Sequence, residues 1–315
     1  MKPSCRVLAS ILVVISFNTA LFGWANIGHM AVAYVAYQQL TPATRKRVLT
    51  LLKLNPDYTK WLTQIPQGTA TKFRPMMIFM IAATWPDQIK SKTGYTDDGS
   101  QNGNRPDGAT SSQNVGYTDH LHHKYWHFVD TPFTQDGSPL GAIPSPNAET
   151  QIDAFRKVIA STDPDPLKSY DLVWLLHLVG DVHQPLHSAT RVSATDPSGD
   201  NGGNNVALCA KPCKDELHAF WDGLPGSGSN PATAATYAKK LAKAQAAAAS
   251  DVDAADWIKE SFDDAKSDVY VPPIGPDDGP FTVTPAYQAA ARNLAKERVA
   301  LAGARLANIL NSELK

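Results

Sequence analysis

Residues 171–187 read DLVWLLHLVGDVHQPLH. The first ten form an apolar run that suits a buried helix, and Pro185 must end or bend it. His177 and Asp181 stand four residues apart, so their side chains leave one helix face a turn apart. His187 follows the proline and points elsewhere. His183 faces away from the pair and reads as a packing or supporting residue. An imidazole and a carboxylate at this spacing can chelate a metal ion, or they can form an ordinary hydrogen-bonded core pair. The rest of the chain has to decide.

Three further segments tip the balance toward a metal. KDELHAFWD (214–222) repeats the spacing with His218 and Asp222 beside Trp221. KYWHFVD (124–130) sets His127 among aromatic residues, where an unpaired imidazole is costly to bury. TWPDQIK (84–90) places Asp87 just after an apolar helix, with Lys90 one turn on. Imidazole and carboxylate ligands suit zinc. A fourth segment, WANIGHM (24–30), begins at a cleavage-like site. Cutting after Gly23 gives Trp24 a free α-amine, with a pKa of roughly 7.7–8.0, that a metal can deprotonate near neutrality. With its own carbonyl it forms a chelate to which His29 adds a third ligand.

The context of these motifs is a 315-residue chain of ordinary globular composition. A net charge of -1 excludes nucleic-acid binding through a general basic field. Residues 1–23, a basic start and an apolar run ending in small residues, have the shape of a cleaved secretory signal. No other segment approaches membrane-spanning length. Export implies an oxidising compartment, where Cys209 and Cys213 of CAKPC could close a small disulfide.

Helical spacing is predicted over residues 24–54, interrupted by a Thr41-Pro42 helix start, and over 76–90, 148–161, 166–184, 215–222, the Ala-rich 232–256 and 284–312, the last capped by Thr284-Pro285. Residues 91–119 and 196–205 read as Gly/Asn/Asp-rich surface loops. Only short pieces near KYWHFVD and NNVAL suit strands. One mostly helical, all-α domain over 24–315 is expected, with long surface loops.

Together the motifs resemble the S1/P1 nuclease family, zinc enzymes related to bacterial zinc phospholipases C. The resemblance rests on W-x4-H at 24–29, W-P-D at 85–87, W-H-F-x-D at 126–130, H-x3-D-x-H-Q-P-x-H at 177–187, G-G-N at 202–204 and L-H-x2-W-D at 217–222. It implies three zinc ions in one cleft. Asp87, His127 and His177 would hold one, with Asp181 bridging to a second held by His29 and the amine and carbonyl of Trp24. His187, His218 and Asp222 would hold the third. Two departures stand out: Glu216 occupies a position where the family commonly has Asn, and the 91–119 loop is long and polar.

The resemblance further implies hydrolysis of single-stranded DNA and RNA to 5′-nucleotides, with 3′-nucleotidase activity. Zinc would supply the local positive charge that the chain as a whole lacks. Lys90 would stabilise charge on phosphate, with Asp87 and Asp181 completing the catalytic set, unless Lys90 is simply solvated. Phe128 reads either as a base-stacking platform, with Asp130 on the base edge, or as a core ring. The HLHH run at 120–123 is expected to be structural. A phospholipase C-like phosphodiesterase is the alternative, and a non-catalytic zinc protein a more distant one. A monomer without a stable protein partner or membrane anchor, periplasmic or secreted, completes the expectation.

Overall fold

The computed structural model describes residues 24–99, 105, 106, 108, 110–210 and 215–314. The expected signal, residues 1–23, and Cys213 lie outside them, so the Cys209–Cys213 pairing stays an expectation. Helices account for 55% of the structure and strands for 4%, so the class is all-α, as the helical spacing predicted. Among the described residues the helices are α1 (Asn26–Gln39), α2 (Pro42–Leu52), α3 (Tyr58–Gln64), α4 (Arg74–Ala82), α5 (Trp85–Ile89) and α6 (Ala148–Ala160). They continue with α7 (Asp165–Asp181), α8 (Leu217–Asp222), α9 (Pro231–Ala238), α10 (Ala246–Ser250), α11 (Ala254–Asp264) and α12 (Pro285–Glu313).

Helix α7 is the axis of the molecule. Every residue from Lys168 to Asp181 is buried, because α1, α2, α5, α6 and α12 all pack against it. A helix apolar on all sides belongs in such a position. Its C-terminal turn, with His177 and Asp181, is therefore held from several directions. Helix α1 packs most extensively on α12. The two approach so closely at Gly303 that an added Cβ would lie 2.5 Å from Val35 Cβ and 2.7 Å from the Val32 carbonyl. Asn311, two turns further along α12, meets Gln39 O and Thr41 N, so the two helices run parallel.

Three expectations change. The predicted 76–90 helix is broken between α4 and α5, with Pro86 in the first turn of α5. The Ala-rich 232–256 stretch forms α9, α10 and the start of α11 rather than one helix. Between the first two lies KKLAK (239–243), whose three cations in five residues interrupt any apolar stripe, and Asp253 caps α11 by accepting from Ala255 N. The strands are neither of those expected. Residues 124–127 form a 3₁₀ turn, and the strands are β1 (Pro132–Thr134) and β2 (Thr190–Val192), paired in parallel. Three residues are too few to show a period of two, which is why the sequence hid them. The 91–119 stretch, expected as a surface loop, is tied down in its described parts: Asp98 and Asp119 are buried. No helix among the described residues is long and apolar enough to cross a membrane.

Candidate metal centre

Chain breaks and glycines shape the site as much as helices do. Helix α7 ends at Asp181, and a short 3₁₀ turn, Pro185–His187, redirects the chain so that His187 points back toward it. Helix α8 presents His218 and Asp222 one turn apart. Helix α5 supplies Asp87, the 124–127 turn supplies His127, and α1 supplies His29. Gly180 permits the last of these: a Cβ there would stand 3.0 Å from His29 Nδ1. All eight side chains predicted as ligands are buried.

They gather into three groups, each with ligand atoms within 4.8 Å of one another: Asp87, His127 and His177; His29, His177 and Asp181; and His187, His218 and Asp222. Asp181 lies between the first two. Its Oδ2 is 3.0 Å from His127 Nδ1 and 3.2 Å from His177 Nε2, whereas its Oδ1 faces His29 Nε2 at 3.3 Å. One carboxylate thus offers one oxygen to each side. The imidazoles of His29 and His177 stack at 3.8 Å.

Hydrogen bonds aim the rings. His177 Nδ1 meets the Ala83 carbonyl at 2.8 Å, in the break between α4 and α5. His187 Nδ1 meets His127 O at 2.7 Å, and His218 Nδ1 meets Gly202 O at 2.7 Å. A ring whose Nδ1 donates to a carbonyl is, when neutral, an acceptor at Nε2. Yet His187 Nε2 and His218 Nε2 face each other at 3.1 Å. Two facing lone pairs call for a cation between them.

The same need shows at Asp181 Oδ1, Asp87 Oδ2 and both nitrogens of His29, which are buried without a hydrogen-bond partner. The spacing fits as well. Tetrahedral zinc, with bonds of roughly 2.0–2.2 Å, holds its ligand atoms about 3.3 Å apart, and His127 Nδ1–His177 Nε2 is 2.9 Å and His218 Nε2–Asp222 Oδ2 is 3.4 Å. The donor set and its gaps fit metal ions.

Without a metal the charges are at odds. Burial would lower the His177 pKa, but Asp181 and Asp87 outweigh it and raise it to about 10. Burial lifts Asp181 to about 6. Burial and His218 hold His187 well below its usual value. Lys90 lies within the site: its ammonium is 2.8 Å from Asp87 Oδ1, and burial of Asp87 is outweighed by Lys90 and His177, which keep its pKa low. The alternative of a merely solvated Lys90 does not hold, since its side chain is 2% exposed.

Phe128 is half-buried: it packs against the main core and also lines a recess with Asp130, His187, Asn201, Gly202, Asn204 and His218. Burial and the nearby Asp200 push the Asp130 pKa up to about 7. Asn201 and Asn204 were not singled out in the sequence, although Asn204 belongs to the G-G-N motif that signals this loop. Of the HLHH run, His123 sits between Asp98 and Asp119 at 2.6 Å from each and stacks on Trp126 at 3.5 Å. None of the four residues joins a metal group among the described residues. Trp24 is fully buried, and Ala25 N–H donates to Asp222 O at 3.0 Å, which lays the start of the described chain against the third group.

The chain matches the S1/P1 Nuclease family model over residues 24–315. It belongs to that family, and its class is that of the metal-dependent nucleases. It is 25% identical to Nuclease S1 of Aspergillus oryzae over 248 residues, 75% of this chain and 67% of that protein. Similarity also extends to Endonuclease 4 and Endonuclease 1 of Arabidopsis thaliana, at 26% and 22% identity, over 69% and 70% of this chain. The chain spans 60% of the length of each Arabidopsis protein.

Proposed function

We propose that this protein is an exported phosphodiesterase that uses three zinc ions to hydrolyse single-stranded DNA and RNA to 5′-nucleotides, with 3′-nucleotidase activity. The split of Asp181 between two ligand groups carries the reading, because it sets two cation sites side by side. When bound, the ions supply Lewis acidity toward phosphate oxygens and lower the pKa of water.

The chain's own residues do the rest. Asp87, His127, His177, Asp181 and His29 hold two ions, joined by the Trp24 amine once export frees it, and His187, His218 and Asp222 hold the third. Lys90, turned into this cluster from Asp87, stabilises negative charge on phosphate. Phe128 offers its ring face to a base, while Asp130, Asn201 and Asn204 offer hydrogen-bonding groups to the base edge. A base must leave its stack to enter such a recess, which favours single strands. Phe128, the one Phe, Tyr or Trp among the described residues that line it, suits a flat base better than a quaternary ammonium head group, which calls for an aromatic cage.

Metal analysis of protein beginning at Trp24, with digestion of single-stranded RNA, single-stranded DNA and a choline phospholipid, tests this reading. Three zinc ions per chain and products bearing 5′-phosphate are expected; faster turnover of the phospholipid would overturn it. Amino-terminal sequencing of the exported protein should return Trp24 first.

A further inference from the structure

One buried polar side chain beside the metal groups has no part in the reading so far. Gln184 is completely buried in the turn between α7 and the 3₁₀ segment. Its backbone N–H continues the helix by donating to Asp181 O at 2.8 Å, and its carbonyl accepts from His187 N at 2.9 Å. Its side-chain Oε1 accepts from Leu186 N at 2.6 Å and caps the turn. That contact fixes the amide orientation, since only oxygen can accept from the Leu186 N–H. Nε2 is therefore committed to donating, and it does so to Asp222 Oδ1 at 2.8 Å. The other carboxylate oxygen, Oδ2, faces His218 Nε2 at 3.4 Å.

We infer that Gln184 is the positioning residue of the third cation site. It occupies Asp222 Oδ1, leaves Oδ2 alone to meet an ion, and ties α8 to the turn that carries His187. Two of the three ligands of that site thus hang on one amide, and the bridging Asp181 is the residue that amide's own backbone grips. The link extends further, because the Asp222 carbonyl receives the Ala25 N–H at 3.0 Å. Partners one bond removed from a ligand set its orientation, and losing one weakens metal binding by about 10–100-fold.

This inference rests on the three-ion reading, and the test keeps the two apart. Gln184→Asn keeps an oxygen able to cap Leu186 N through an Asx turn, but is one methylene too short to reach Asp222. Gln184→Met removes cap and link together. Zinc titration against a competing chelator is expected to show three ions in the wild type and a 10–100-fold weaker third ion in both variants. Thermal melting of the metal-free proteins should fall for both variants, and further for Met, which also loses the cap; weakening confined to the third ion is the readout that a purely structural role would not give. If Met prevents folding, the Asn variant decides. Wild-type affinity for all three ions in Gln184→Asn overturns the inference while leaving the nuclease reading intact. Fewer than three ions in the wild type overturns both. In zinc-loaded crystals Asp222 should bind through Oδ2 alone with Gln184 still on Oδ1; a bidentate Asp222 with Gln184 turned away also refutes the inference.

Discussion

Single side chains in this molecule are chosen for what they leave room for. Gly180 lies in the last turn of α7, one residue before its end, where alanine would still be the better helix former. It is tolerated because His29 needs the space above it. Gly180→Ala should leave the metal-free fold as stable as before, or slightly more so, and weaken zinc binding at least ~10-fold through the displaced imidazole; unchanged zinc titration in the variant would refute this.

Asp171 is a different case. It is buried on α7 with Asn114 Nδ2 at 2.9 Å, its Oδ1 lacks a donor, and burial pushes its pKa up to about 8. The native state therefore keeps a proton that the unfolded chain gives up between about pH 4 and 8, so stability falls as pH rises across that window. Asp171→Asn should be more stable than the wild type at pH 8.5, by on the order of 1–3 kcal/mol, with the gap closing toward pH 4. Urea denaturation at the two pH values measures it, and a gap independent of pH would contradict the assignment.

At the scale of elements, what the sequence shows and what it conceals have one cause. Ligand pairs such as His177/Asp181 and His218/Asp222 are legible because a helix repeats every 3.6 residues and brings i and i+4 together. The partners of His123 are not legible, since they come from residues 98 and 119 in a loop whose composition says only that it turns. The same holds for Gln184 and Asp222, 38 residues apart in two different elements, and for the three-residue strands.

His123 shows the consequence. Burial opposes its charge, but Asp119 and Asp98 outweigh burial and raise its pKa, and the ring lies flat on Trp126, next to His127. The ionic contact is thus held at low pH and weakens as pH rises through the elevated value. His123→Leu removes the charged partner shared by two buried carboxylates and leaves them neutral donors such as Tyr125 and Tyr170; it should cost about 3–5 kcal/mol, read by denaturant unfolding. A loss under 1 kcal/mol would show that the 91–119 segment does not depend on this anchor.

For the molecule as a whole, the amino end of the described chain lies against the third ligand group. Trp24 is fully buried, and Ala25 is bonded to Asp222. Any residue left ahead of Trp24, a start Met or a tag, should lower zinc content by one ion and remove most activity, whereas a tag after α12 should not. Full activity from an amino-terminally extended protein would contradict a terminal amine ligand. Stripping all zinc should also lower the melting temperature markedly, because binding to the native state alone stabilises it by mass action.

The parallel seam between α1 and α12 carries one more implication, for the timing of synthesis. A growing chain that has reached Asp222 already contains every side-chain ligand, yet the helix against which His29's own helix lies has still to be made. A chain cut short before α12 would therefore keep every one of those side chains while leaving α1 without its most extensive packing partner.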